Sequence, residues 1–215
     1  MELTRTANAG VLLKLDGITV LLDGVCREVK PYSATPPEIK QQLMLEFPDA
    51  VAFTHSHKDH YDPAFASAYQ GKTGRVVFGP SLPGCRTTQT PDRVGDVQII
   101  PVASRHIGVA GKDTPHFSFI LQGSRCVWFL GDASPGIWRQ KQDLPKPDVV
   151  IVPYAYATTP ASWQMTQSLG AEEIVVLHLP SREQDEIGLW DALENTVACK
   201  KNLHIPNMGD TIILL

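Results

Sequence analysis

The sequence predicts an α/β domain. Its order of elements is compatible with two sheets packed face to face and covered outside by helices. Three observations lead there. Hairpin signals occur near the start and again in the middle of the chain, in the runs around Asp16-Gly17 and Gly123-Ser124. Between and after them, short apolar runs alternate with helix-start signals. Asp148 to Pro153 reads as a strand buried on both faces, by its run of valine and isoleucine from Val149 to Val152. Pattern alone does not choose this layout over other α/β arrangements.

The elements follow in order. Gly10 to Leu15 and Ile18 to Leu22 flank Asp16-Gly17, a pair suited to the positive φ angles of a two-residue turn. Thr35-Pro36-Pro37-Glu38 predicts a helix capped by Thr35, with prolines in its first turn and an end before Pro48. Ala50 to Thr54 reads as a short buried strand. Asp62-Pro63 starts a second helix, which Gly71 is expected to terminate. Arg75 to Phe78 and Val97 to Val102 read as strands, and His116 to Leu121 with Cys126 to Leu130 as the second hairpin. A helix near Ala161 to Leu169, a strand Glu173 to Leu179, a helix near Glu186 to Cys199 and a strand Thr211 to Leu215 complete the chain.

The 215 residues suit a single domain, 1–215, large enough to bury a core. Hydrophobic residues at 43% and charged residues at 20% are ordinary globular usage. A formal net charge of -4 argues against a nucleic-acid surface by bulk electrostatics. Cys26, Cys85, Cys126 and Cys199 are widely spaced and read as free thiols in a reducing compartment. No signal peptide opens the chain and no run is long enough to span a membrane, so a cytoplasmic protein is expected.

The chemistry is concentrated in Thr54-His55-Ser56-His57-Lys58-Asp59-His60-Tyr61-Asp62, directly after an apolar strand. Neutral imidazoles and carboxylates are ligands for zinc and similar first-row metals. In a turning loop, His55 and His57 can face one point while Asp59 and His60 face a neighbouring one. A solvated His-rich turn is a poor account of H-x-H-x-D-H at a strand end, whereas H-x-H alone would be a weak signal. Further ligand types stand after other strands: His106, Asp132 in Phe129-Leu130-Gly131-Asp132, and His178. Gly131 lets the backbone approach closely, and the two oxygens of Asp132 can bridge two cations. Lys58 reads as solvated and His204 as structural.

The ordered set Asp23, His55-x-His57-x-Asp59-His60, His106, Asp132, His178 resembles the metallo-β-lactamase superfamily, from about Leu12 to His178. The resemblance implies an αββα sandwich: two packed mixed β-sheets flanked by helices, with two divalent metal ions at one edge. Zinc is the first choice and manganese or iron the alternatives. By that pattern His55, His57 and His106 hold one metal, Asp59, His60 and His178 the other, and Asp132 bridges them. Asp23 supports the metal loop, although by spacing alone it is only a residue in a Leu-Asp-Gly turn.

Within the superfamily, many members carry G-H-T-x-G around the third motif, where this chain has Ser104-Arg105-His106-Ile107-Gly108. That departure speaks against glyoxalase II and typical acyl-homoserine lactonases. The pattern around His106, Pro115-His116-Phe117-Ser118-Phe119 and Gly131-Asp132-Ala133 is similar to the branch of ascorbate-6-phosphate lactonase and other metal-dependent hydrolases. Flavodiiron-type redox relatives typically carry glutamate where His57 stands, and there is no room for the extra domain of RNA-cleaving β-CASP members.

His116 also precedes Asp132. His106 is preferred as the metal ligand because it ends a strand, while His116 begins one and is expected to donate a hydrogen bond in the cleft. The implied reaction is attack of a metal-bound hydroxide on an ester, lactone or phosphoester of a small molecule. Asp59 serves the nucleophile, and His116, Tyr61, Tyr154 and Tyr156 are candidate proton donors. The alternatives are a nuclease and a non-catalytic metal-binding regulator.

Overall fold

The computed structural model describes residues 1–108, 111, 113–140, 143–197 and 202–214. The strands of the first half are β1 (Glu2–Arg5), β2 (Val11–Leu15), β3 (Ile18–Leu22), β4 (Ala50–Ala52), β5 (Val77–Phe78), β6 (Thr87–Thr88) and β7 (Asp92–Val94). Those of the second are β8 (Val97–Arg105), β9 (Pro115–Gln122), β10 (Cys126–Phe129), β11 (Val149–Pro153), β12 (Glu173–Leu177), β13 (Leu203–His204) and β14 (Thr211–Ile213). Among the described residues they form two seven-stranded sheets, ordered β14-β1-β2-β3-β4-β5-β6 and β13-β12-β11-β10-β9-β8-β7. Both sheets are mixed. The β1–β2–β3 and β8–β9–β10 runs are antiparallel, while β3–β4–β5 and β10–β11–β12 are parallel.

Side-chain alternation makes the layers. Leu13, Val20, Leu22, Ala50 and Ala52 of the first sheet meet Ile99, Phe119, Leu121, Phe129, Val149 and Ile151 of the second in one buried cluster. Successive residues on a strand point to opposite faces, so Val150 and Val152 turn outward. There they pack with Tyr156 and Ala157 of α3 (Tyr154–Thr158), Met165 of α4 (Pro160–Ser168), and Trp190 and Leu193 of α5 (Leu189–Val197). On the other side, Leu21, Val51 and Phe53 carry α1 (Pro37–Leu45) and α2 (Pro63–Thr73), the latter through Phe65, Ala66 and Tyr69. The molecule is thus an αββα sandwich. β11 is buried along its whole length, as its composition requires.

The hairpin at Asp16-Gly17 forms with φ of 52° and 78°. The Asp16 carboxylate then accepts from the Ser124 backbone N–H at 2.6 Å, tying the first hairpin to the second across the sandwich. Several boundaries differ from expectation. Thr35 does not cap the first helix: its hydroxyl accepts from Cys26 N–H at 2.9 Å, and Pro36 stands at the cap. Gly71 lies inside the second helix, which Asp62 caps as expected but Gly74 ends, because Gly74 takes the left-handed conformation at φ 71°. The strand from Glu173 stops at Leu177, since His178 leaves the ladder with φ 66°. β1 was not expected. Leu3 joins the inter-sheet core, and the strand is sandwiched between β2 and β14. The last helix is described from Leu189 to Val197, and Cys199 and Leu215 lie outside the described residues. Among these residues Cys26, Cys85 and Cys126 are free thiols, and no helix is long and apolar enough to cross a membrane.

Candidate metal centre

One edge of the sandwich collects the residues that follow five strands. Asp23 follows β3, the segment Thr54 to His60 follows β4, His106 follows β8, Asp132 follows β10 and His178 follows β12. Abrupt turns place them. Asp23 and His178 adopt φ of 47° and 66°, conformations that cost a non-glycine residue about 1–2 kcal/mol. Such strain persists where surrounding contacts enforce it. Here Asp23 N–H donates to Ala52 O at 3.0 Å, and His178 N–H to Asn8 O at 3.1 Å. Gly131 also has positive φ, and a Cβ there would lie 2.5 Å from Thr54 Cγ2. Glycine is what lets the Asp132 loop meet the histidine loop.

Hydrogen bonds set the histidine tautomers. Thr54 donates to Asp23 twice, from its N–H to Oδ1 at 2.7 Å and from its hydroxyl to Oδ2 at 2.6 Å. A hydroxyl has one proton, so at 2.9 Å it accepts from Nδ1–H of His55. His60 Nδ1 donates to Asp23 Oδ2 at 2.7 Å, and His106 Nδ1 to the Ile107 carbonyl at 2.6 Å. In each ring the neutral tautomer carries its proton on Nδ1, which leaves a lone pair on Nε2. Among the described residues, the Nε2 atoms of His55 and His106 are buried without a hydrogen-bond partner.

Among the described residues, three groups of ligand atoms lie within 4.8 Å of one another: His55, His57 and His106; Asp59, His60 and His178; and Asp23, His55 and His60, in which Asp23 is already engaged by Thr54 and His60 Nδ1. Asp132 Oδ2 stands between the first two, 3.6 Å from His106 Nε2, 3.3 Å from His60 Nε2 and 3.4 Å from His178 Nε2. His60 Nε2 and His178 Nε2 are 3.0 Å apart, and Asp59 Oδ2 is 3.4 Å from His178 Nε2. With Nδ1 of His60 bonded to Asp23, the His60 Nε2 lone pair faces His178 Nε2 and can take a hydrogen bond from it or a metal ion. Ser56 and Lys58 point to solvent.

Electrostatics agree. Burial opposes charge on His60 and His178, but the carboxylates of Asp132 with Asp23 or Asp59 outweigh it. They raise His60 well above its ordinary value and His178 to about 9. Burial also opposes charge on Asp132, yet His178 and His60 hold it well below the carboxylate range. The centre attracts positive charge, and its nitrogen and oxygen donors suit zinc and related cations.

His116 lies inside the same cluster. Its ring is 5.1 Å from His55 and 5.7 Å from His106, and among the described residues its buried Nε2 has no hydrogen-bond partner. Nδ1 meets Ser104 Oγ at 2.7 Å, and that hydroxyl in turn meets Ser118 Oγ at 3.2 Å. Burial, opposed only in part by Asp132, lowers His116 to about 3, so the ring is neutral.

The tyrosine candidates separate. Tyr61 is fully buried and donates to Pro83 O at 2.6 Å, and Tyr156 donates to Ala133 O at 2.6 Å. Both hydroxyls are committed to backbone, so neither serves as a donor to substrate. Tyr154 remains near, its ring 6.4 Å from His178. Tyr32, which no motif marked, stands edge-on to His178 at 4.7 Å. His204 pairs with Glu173 at 2.7 Å, a structural contact on the far side of β12.

Residues 2–177 match the family model for the beta-lactamase superfamily domain. Solved structures share the fold across nearly the whole chain. A possible metal-dependent hydrolase from Veillonella parvula DSM 2008 superposes with a TM-score of 0.73 at 16% identity, over 100% of this chain and 99% of that one. An isothiocyanate hydrolase from Delia radicum gut bacteria gives 0.68 at 19% identity, again over 100% and 99%. A diiron β-hydroxylase from Streptomyces venezuelae gives 0.64 at 14% identity, over 99% of this chain and 54% of that one. No curated protein sequence matches the chain.

Proposed function

The chain belongs to the metallo-β-lactamase superfamily, and on that premise we propose a dinuclear metal-dependent hydrolase acting on an ester, lactone or phosphoester of a small molecule. One observation carries the reading: two separate groups of ligand atoms face a shared carboxylate oxygen, Asp132 Oδ2. The buried, unpartnered Nε2 atoms of His55 and His106 fit it, because buried polar atoms rarely lack partners.

His55, His57 and His106 would hold one cation, Asp59, His60 and His178 the other, and Asp132 would contact both. Zinc suits the donors best, with manganese and iron as alternatives. Cations held there would bring the pKa of water toward neutrality and polarise the substrate oxygen. Asp23 fixes His60 and, through Thr54, His55, so that both rings present lone pairs inward. Asp59, partly solvent-accessible, orients the attacking water and accepts its hydrogen bond. His116, neutral and buried, contributes a hydrogen bond to substrate and not an acid proton.

The deciding experiment is elemental analysis after reconstitution, followed by assays on esters, lactones, phosphomonoesters and phosphodiesters with and without added metal. Metal-dependent turnover of one class is the expected result. A protein that takes up no zinc, manganese or iron would remove the basis of the reading.

A further inference from the structure

Tyr32 belongs to two places at once. Its ring touches His178 edge-on, and it also lines a groove of about 370 Å³ with Pro31, Ile187, Glu28, Lys30 and Glu186. Neither this groove nor a larger cavity of about 410 Å³, beside Asn8 and Trp190, contains a metal-ligand residue. Tyr32 is what sets the groove beside the centre, through its contact with His178.

Its two walls are built to stay in place. Ser33, next to Tyr32, donates from its hydroxyl to Gln184 Oε1 at 2.5 Å, joining the loop of one wall to the loop of the other. The Asp185 carboxylate accepts from the backbone N–H groups of Leu189 and Trp190 at 2.9 and 2.8 Å, anchoring the turn that presents Ile187 to α5. Ile187 is 70% exposed, so its side chain is free to contact a ligand. Pro31, the Tyr32 ring and Ile187 offer apolar surface. The rim holds one lysine against two glutamates, which gives a polyanionic group no net attraction.

We propose that this groove is the subsite for the organic group attached to the scissile bond, and that it takes an uncharged, apolar alkyl or acyl chain. The proposal rests on the hydrolase reading above and narrows it to carboxyl esters and lactones over phosphorylated substrates. Tyr32 is the wall common to centre and subsite, and Ile187 is the contact that measures chain length.

Alkyl hydroxamates of increasing chain length test this, because the hydroxamate group chelates metal and its tail must go elsewhere. Affinities are measured by calorimetry on zinc-loaded wild type and Ile187→Asp, with zinc content and circular dichroism recorded for both. Each added methylene should tighten binding to wild type about two- to fourfold until the groove is filled. Ile187→Asp, an exposed substitution, should keep its zinc and lose most of that slope. Equal slopes in the two proteins, or no slope in wild type, overturn the subsite. A wild type that holds zinc but binds no hydroxamate also overturns the subsite, whereas a wild type that takes up no zinc would instead reject the metal centre, and the subsite with it.

Discussion

Replacing Asp23 by alanine should damage the centre from behind, without removing a ligand. The carboxylate is fully buried and accepts three hydrogen bonds, from Thr54 N–H, the Thr54 hydroxyl and His60 Nδ1–H. Each stranded buried donor costs about 1–3 kcal/mol. The simple sum overstates the loss, because burial of the carboxylate is itself unfavourable and pushes its pKa up. Removing one member of a buried charged pair typically costs about 3–5 kcal/mol, which is the destabilisation expected in urea unfolding of the metal-free protein. The second effect is on tautomers. Without Asp23 the Thr54 hydroxyl is free to donate to His55 Nδ1, and nothing holds the proton of His60 on Nδ1. Zinc affinity, read by competition with a chromophoric chelator, should fall about 10–100-fold. Asp23→Ala that folds and binds zinc as tightly as wild type would refute the tautomer argument. Unchanged stability would refute the hydrogen-bond account.

Asp132→Ala should weaken both metals together in a titration, since its Oδ2 faces both ligand groups, whereas His178→Ala should weaken mainly one. His106→Ala should lose metal, while His116→Ala should keep metal and lose rate. Full occupancy in the first with metal loss in the second would reverse the two roles. Gly131→Ala places a methyl 2.5 Å from Thr54 Cγ2 at a positive φ. Thermal and urea unfolding should show a loss of about 2–5 kcal/mol from backbone strain plus overpacking.

Sequence by itself determined what depends on neighbours along the chain. His55, His57, Asp59 and His60 were legible as a candidate centre because one loop carries them all. Asp16-Gly17 announced its hairpin because two positive φ angles are a local requirement. Val149 to Pro153 announced a doubly buried strand because nothing polar interrupts it. Gly131 was legible as a point of close approach, though not what approaches it.

Tertiary structure decided what depends on distant partners. β1 was not legible because its short, mostly polar run becomes a strand only between β2 and β14. Thr35 has a capping residue's chemistry, but the Cys26 backbone takes its hydroxyl first. Gly71 and Gly74 are equivalent as helix breakers in sequence, and only the second reaches the left-handed turn. Tyr61, Tyr154 and Tyr156 are the same side chain with different prospects, separated by whether a backbone carbonyl already accepts from the hydroxyl. Tyr32 gave no sign of itself, because its place beside His178 exists only once residues far apart in the chain are folded together. A ligand's identity is written in its residue type, but the direction of its lone pair is set by the hydrogen bond on the other side of the ring, and that partner is chosen by the fold.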